Sequence, residues 1–109
     1  MMWRMGGMYR MRDLLNLLTS EGAEELRLEA GRPPVMVLHG KARVMDGALV
    51  SNEDVAELFR SIATEAQNSE LARCGESHFI FVSERSCQFK VSGTMDGDHV
   101  YVAVRNLSR

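Results

Sequence analysis

The residue types from which phosphate, metal and acid-base sites are built all occur in this chain of 109 residues. A phosphate-binding loop needs the pattern G-x-x-x-x-G-K-[ST], whose backbone amides and lysine grip the phosphates. The nearest candidate is Gly40-Lys41, but Ala42 stands where a hydroxyl is needed and Val35 where the first glycine is needed. The sequence therefore predicts no nucleotide-hydrolysing centre in these residues.

The histidines and acidic residues predict no metal or catalytic site either. A zinc-like site needs several ligands to converge, yet the three histidines fall in different strand regions: His39, His78 and His99. Asp96 and Asp98 flank Gly97 in "MDGD", and a hairpin tip explains these carboxylates better than a cation site does. No serine or cysteine lies in a recognisable nucleophile motif. We therefore expect no enzymatic activity, no metal and no cofactor.

One basic pair is the best candidate for a binding site. Arg105 lies in the last apolar strand, on the face opposite Val104, and Lys90 in the neighbouring strand could lie close to it on the sheet. An exposed strand arginine needs no function, but a guanidinium there could also contact an anion or a partner domain. Both alternatives stay open, and we treat Arg105 and Lys90 as candidate anion- or partner-contact residues.

Composition narrows the classes of partner and compartment. The formal net charge is −2, and the 13 basic and 15 acidic residues are interspersed, so no basic stripe predicts binding to nucleic acid. Cys74 and Cys87 form no C-x-x-C pair. A disulfide between them is geometrically possible, but reduced thiols in a cytoplasmic protein are the simpler interpretation.

The amino-terminal stretch "MMWRMGGMYRM" contains no continuous apolar run. This argues against a signal peptide and against a membrane span. We expect Met1 to Arg10 to form a flexible tail, from which Trp3 and Tyr9 could still dock onto the body. Residues 11–109 are long enough for a single domain with one hydrophobic core.

Hydrophobic periodicity predicts three helices and six strands. Apolar residues three and four positions apart mark the first helix, at Met11, Leu14, Leu15 and Leu18. A second helix begins at the capping pair Ser51 and Asp54, and its buried stripe is Val55, Leu58, Phe59 and Ile62. A third helix, in "NSELARCGE", ends at Gly75. Alternation marks strands in "AEELRLEA", "SHFIFVS", "SCQFKVSG" and "HVYVAVRNL", and short apolar runs mark strands in "VMVLHG" and "KARVMDG". The order α-β-β-β-α-α-β-β-β predicts an α+β fold, an antiparallel sheet covered by helices on one face.

The segment "EGAEELRLEAGRPPVMVLHGKARVM", residues 21–45, resembles the N-terminal domain of type IV pilus retraction ATPases of the PilT group. That family carries the pattern G-A-S-D-L-H-L-x-x-G-x-P-P, followed by a strand and a glycine turn. The matching positions are Gly22, Ala23, Leu26, Leu28, Gly31, Pro33, Pro34 and Gly40. Glu25 replaces the family aspartate and Arg27 the family histidine.

The closing segment is similar to the same family. The stretch "GESHFIFVSERSCQFKVSGTMDGDHVYVAVRNL" follows the family run E-x-D-F-S-F…F-R-V-N-x-F-x-Q-R-G…V-x-R-x-I, with matches at Glu76, Phe79, Phe81, Phe89, Val91, Arg105 and Leu107. Gly97, preceded by Asp96, holds the place of the Q-R-G arginine, and Lys90 holds that of the F-R-V arginine. Of the family's anion contacts, Arg105 is the one retained.

The resemblance covers about Met11 to Leu107 and implies a PAS-like α+β domain. In the full motors such a domain sits above a RecA-like ATPase domain, packs against that domain of a neighbour in a hexameric ring, and helps to sense ATP through its arginines. Our first hypothesis is a stand-alone, non-catalytic interaction domain of type IV pilus, twitching-motility or secretion systems. Its partner would be a motor ATPase, a pilus or secretion component, or a second copy.

A small-ligand or nucleotide sensor is the second hypothesis, because PAS-like sheets often enclose a pocket beneath their helices. That pocket would be lined by Leu26, Leu28, Phe79, Phe81, Phe89 and Val91. The same residues would also fill an ordinary core, so the sequence leaves the two alternatives open. A truncated or decayed motor is a third alternative.

Overall fold

The computed structural model describes residues 9–108. They form, in the predicted order, α1 Met11–Ser20, β1 Glu25–Glu29, β2 Val35–Leu38, β3 Lys41–Val44, α2 Asn52–Arg60, α3 Glu65–Cys74, β4 Glu76–Val82, β5 Gln88–Asp96 and β6 His99–Asn106. The α+β prediction is therefore confirmed. None of the helices in residues 9–108 is long and apolar enough to span a membrane. Most of the expected tail, including Trp3, lies outside the described residues.

The six strands form one antiparallel sheet in the order β3-β2-β1-β6-β5-β4. β1 and β6, which come from distant parts of the chain, lie side by side at its centre, with Leu26 opposite Val104 and Glu25 opposite Arg105. The strands β1 to β3 form one local meander, and β4 to β6 form another. The central pair joins the two meanders into a single sheet.

Helices cover one side of the sheet, which we call the covered face. Alternate residues of β1, β5 and β6 point to it and are buried: Leu26, Leu28, Phe89, Val91, Val100, Val102 and Val104. The helices close over them with apolar stripes at Met11, Leu14, Leu15, Leu18, Val55, Leu58 and Phe59. Ile62, predicted to extend the second stripe, lies beyond the end of α2 and is only half-buried.

A glycine in β5 lets α2 approach the sheet closely. A methyl group at Gly93 would lie 2.5 Å from the ring of Phe59. Phe59 is fully buried there and meets Phe79 of β4 edge-on, with ring centroids 5.7 Å apart. Glycine inside a strand often marks such a close approach, and here its missing side chain leaves the space that Phe59 fills.

Side-chain caps fix where α2 and α3 begin. Ser51 and Asp54 form the predicted capping box, with Asp54 N donating to Ser51 Oγ at 3.0 Å and Ser51 N donating to Asp54 Oδ2 at 2.9 Å. Thr64 and Gln67 form a second box. Because this box satisfies the first amides of the helix, α3 begins about one turn before the start predicted from "NSELARCGE".

The "GRPP" segment connects β1 to β2 without needing the amide groups that prolines lack. Gly31 N donates to Val50 O at 2.8 Å, and Arg32 O accepts from Val50 N at 3.0 Å. Pro34 O accepts from Met45 N at 2.8 Å. The prolines therefore stiffen a connection whose hydrogen bonds use carbonyl groups and a glycine amide.

β2 and β3 form a two-residue hairpin at the predicted Gly40 turn. His39 and Gly40 both have positive φ, 51° and 78°, a combination that matches the twist of the flanking strands. β3, which the sequence grouped with the apolar strands, is exposed along its whole length. It is an edge strand, which is why it can carry Lys41 and Arg43.

Candidate docking surface

The other side of the sheet, which we call the open face, has no helix of the described residues packed over it. Its side chains alternate with the buried ones, and the strand register aligns them in rows. One row holds Glu25 on β1, Arg105 on β6, Lys90 on β5 and Ile80 on β4. The two candidate contact residues from the sequence, Arg105 and Lys90, are therefore directly opposite each other.

Arg105 and Lys90 are exposed cations, and neither forms an ion pair with another residue in the range 9–108. Glu25, the carboxylate in the same row, instead accepts a hydrogen bond from Arg27 Nε at 2.6 Å. Like charges directly opposite on an antiparallel sheet are destabilising. No ion pair within residues 9–108 therefore explains either cation.

Apolar side chains flank the cations at the β4 end of the open face. Ile80 is 52% exposed and Val82 is 54% exposed. Tyr101 of β6 adds an exposed aromatic ring to the same face. Charged donors bordered by apolar and aromatic side chains are typical of a protein–protein contact.

A polar cluster beside this row escaped the sequence analysis. His78 of β4 lies 2.8 Å from Glu76 Oε1 through Nε2, and 3.0 Å from Ser92 Oγ through Nδ1. Glu76 and His78 are two positions apart on one strand, so their side chains share a face of the sheet. This spacing could have revealed the cluster from the sequence. The cluster has the residue types of a catalytic triad, but it is solvent-exposed, and none of its three residues lines the groove described below. We assign it no catalytic role.

The other candidate ligands stay apart. Among residues 9–108, no group of three or more His, Cys, Asp and Glu side chains is arranged to hold a metal ion. His39 lies in the β2–β3 turn, and His99 begins β6 next to Tyr101. Cys74 is exposed and Cys87 half-buried, and both are free thiols. The alternative of a disulfide between the two is therefore not realised.

The ligand pocket expected beneath the helices is filled by packed side chains. Four of its six predicted lining residues are no more than 1% exposed within the core: Leu26, Leu28, Phe89 and Val91. The other two, Phe79 and Phe81, pack against the edge of that core. These residues are core residues, and the sequence could not separate this outcome from a pocket because both need the same apolar side chains.

A groove of about 890 Å³ lies elsewhere, between the start of α1, the end of α2 and the β4–β5 loop. It has a charged rim and an apolar floor. The floor residues are Met11, Leu15, Leu58, Ile62 and Phe81.

Tyr9 lies beside the groove and donates its hydroxyl hydrogen to Ala48 O at 2.7 Å. Burial raises the pKa of Tyr9 above its ordinary value. Tyr9 and Arg10, assigned to the tail from sequence, thus contact the body.

Comparison with known proteins finds this fold among solved structures. No protein-family model matches the chain, and no curated protein matches it significantly. The crystal structure of the pilus retraction motor PilT with bound ADP has a TM-score of 0.84 at 21% identity, over 91% of this chain and 29% of that chain. The ATPase DotB of Legionella pneumophila has a TM-score of 0.72 at 19% identity, over 94% and 29% respectively. DotB of Yersinia pseudotuberculosis has a TM-score of 0.69 at 10% identity, over 97% and 32%.

The chain spans only 29–32% of the length of these ATPases. The matched part is their N-terminal, non-motor portion. At such low identity the likeness is one of fold, and it agrees with the resemblance carried by the "GRPP" segment and the closing strands. The chain therefore has the fold of the N-terminal domain of the PilT and DotB ATPases.

Proposed function

We propose that the chain is a non-catalytic protein-interaction domain, related to the N-terminal domain of type IV pilus retraction ATPases, that docks through its open face. Its partner is a motor ATPase, a pilus or secretion component, or a second copy of the chain. The observation that carries the proposal is the Arg105–Lys90 pair on an uncovered face. The shared fold supports this class of partner, and the free thiols fit a cytoplasmic location.

The pair would bind carboxylates on the partner. The guanidinium of Arg105 can hold a carboxylate with two parallel hydrogen bonds, and the ammonium of Lys90 adds a compact positive charge. A carboxylate placed between them also removes their mutual repulsion. The free energy of docking therefore includes relief of a cost that the free domain carries, and the exposed Ile80 beside the pair adds apolar area to the contact.

The position of Gly40-Lys41 supports a role without ATP hydrolysis. A phosphate loop leads from a strand into the start of a helix, whose free amides face the phosphates. Gly40-Lys41 instead leads from a hairpin turn into the edge strand β3. Purified chain should therefore hydrolyse no ATP above a no-enzyme background, and hydrolysis above that background would contradict the non-catalytic role.

Affinity capture from native-cell lysate, read by mass spectrometry, tests the docking surface. The baits are the full chain, the double variant Arg105→Ala/Lys90→Ala, and a control, Lys41→Ala/Arg43→Ala, which removes the same charge from β3. We expect one partner to be held by the first and third baits and reduced about tenfold or more with the second. Equal capture by all three baits would remove the open face as the site.

Ligand sensing is the second candidate, and the groove beside Tyr9 favours it. Its volume of about 890 Å³ lies within the range of small-molecule sites. A rise in melting temperature with any member of a nucleotide and metabolite panel would favour sensing. The substitution Ile62→Glu, at a half-buried position of the groove floor, should then abolish that rise, whereas Lys90→Ala on the open face should not.

A further inference from the structure

β4 is an edge strand with no neighbour on one side in the described part of the chain. Two hydrogen bonds define which of its backbone groups are used: Ser83 N donates to Cys87 O at 2.9 Å, and Met95 N donates to Gly75 O at 2.8 Å. Bonded pairs alternate with non-bonded pairs along an antiparallel ladder. The odd-numbered residues of β4 therefore bond to β5, and the even-numbered ones point their N–H and C=O groups outward: Glu76, His78, Ile80 and Val82.

This edge lacks the devices that normally prevent edge pairing. Natural edge strands are short, or carry lysine, proline or inward-pointing charge. β4 has seven residues, ESHFIFV, without lysine, arginine or proline. β3, at the other edge, has four residues, and its Lys41 and Arg43 lie opposite Leu38 and Met36 on the side of the sheet that faces the core. The β3 edge is therefore protected against strand pairing, and the β4 edge is not.

We propose that a second copy of the chain pairs with β4 in antiparallel register, about a twofold axis through Phe79. In this register Glu76 lies opposite Val82 of the second copy, and His78 lies opposite Ile80 of the second copy. Every outward-pointing residue of β4 then gains a bonded partner, and no two like charges face each other. The half-buried ring of Phe79 meets its own symmetry mate.

A second copy fits this edge because it places the apolar residues Val82 and Ile80 opposite the polar residues Glu76 and His78. A palindromic pairing uses all the outward groups of both strands, and it places the two Glu76 carboxylates at opposite ends of the shared ladder. The contact is strand-sized, so a weak dimer in the micromolar range is expected. The inference names one partner that the proposed function leaves open. It uses the backbone edge of β4 rather than the side chains of Arg105 and Lys90, so its failure would not touch docking through that pair.

Sedimentation of the full chain over a concentration series tests the dimer. Ile80→Pro removes an N–H that points away from β5, so the sheet of each copy is kept. We expect the dissociation constant of the dimer to rise roughly thirtyfold, because each copy loses one donor. The matched control is Ala42→Pro on β3. Met45 N donates to Pro34 O, so by alternation along the strand the N–H of Ala42 also points away from the sheet. This control should leave the dissociation constant of the dimer unchanged.

A second variant keeps the test valid if the first one misfolds. Ile80→Lys adds an edge charge without touching the backbone and should weaken the dimer in the same direction. Circular dichroism of every variant should match the parent chain. A parent chain that stays monomeric through the micromolar range overturns the proposal, and so does equal weakening by Ala42→Pro.

Cross-linking tests the register itself. In a background with Cys74→Ser and Cys87→Ala, chains with His78→Cys are mixed with chains with Ile80→Cys and oxidised. The two sulfurs come within disulfide reach only between opposite residues. Mixed disulfide dimers should therefore exceed the homodimers of either variant, whereas a majority of His78→Cys homodimers would contradict the axis at Phe79.

Discussion

The two faces of the sheet are made by the same strands, yet their residues differ in burial and in packing. Val104 and Arg105 are neighbours on β6, and one is buried while the other stands in solvent. On the covered face, the buried residues are explained by packing. On the open face, the cations Arg105 and Lys90 lie opposite each other, and Ile80 is left exposed. The proposed docking function rests on this difference between the faces.

The largest effect in this comparison should come from the covered face. Phe59→Ala removes a fully buried ring that fills the space above Gly93, and we expect the free energy of unfolding to fall by about 3–5 kcal/mol. Urea denaturation measures it. Tyr101→Ala on the open face is the matched aromatic truncation and should cost about 1 kcal/mol or less. Similar losses for the two would break the distinction between the faces.

Gly93→Ala should be the next largest change. The added methyl lies 2.5 Å from the Phe59 ring, so the helix must shift, at about 1–3 kcal/mol of unfolding free energy. Phe59→Leu in the same chain should recover part of that loss, because the two residues share one space. Strict additivity of the two substitutions in urea denaturation would show that they do not compete.

Tyr9, beside the groove, should have an intermediate effect. Tyr9→Phe removes the bond to Ala48 O and should cost about 1 kcal/mol of unfolding free energy near neutral pH. Because burial raises the pKa of Tyr9 above its ordinary value of 10.0, its contribution is present below that value and is lost as pH rises through the raised pKa. Melting temperatures of parent and variant should converge in alkaline solution. A constant gap would place the effect elsewhere.

The smallest effect on stability should come from the open face. Lys90→Ala relieves the repulsion with Arg105 and should leave the free energy of unfolding unchanged or raise it by up to about 0.5 kcal/mol. Partner capture should weaken in the same variant. A clear loss of stability on thermal unfolding would assign Lys90 a structural role and weaken the contrast between the faces.

Much of the fold follows from local patterns. The α1 stripe and the strand alternation have the periods of helix and strand, and the cap at Ser51 is a local motif. The start of α3 was missed because its box uses Gln67, a residue that also occurs in ordinary helix interiors. The exposure of β3 was missed because an edge position depends on the strand order of the whole sheet, which no local pattern contains.

Only the local part of the candidate site could be predicted from the sequence, for the same reason. The two-residue turn between Asp96 and His99 fixes the register of β5 against β6, so the position of Lys90 opposite Arg105 could be obtained by counting back from "MDGD". Glu25 comes opposite Arg105 through the pairing of β1 with β6. That contact joins distant parts of the chain and cannot be counted from any turn.

The central position of β1 and β6 also constrains how the chain is made. β6 is the last of the nine elements to leave the ribosome, and β1 cannot gain its central neighbour before then. Until then, Leu26 and Leu28 of the first meander lack their neighbours on β6. Contacts between distant parts of a chain also form slowly. During synthesis this half of the sheet is therefore the part most exposed to wrong partners.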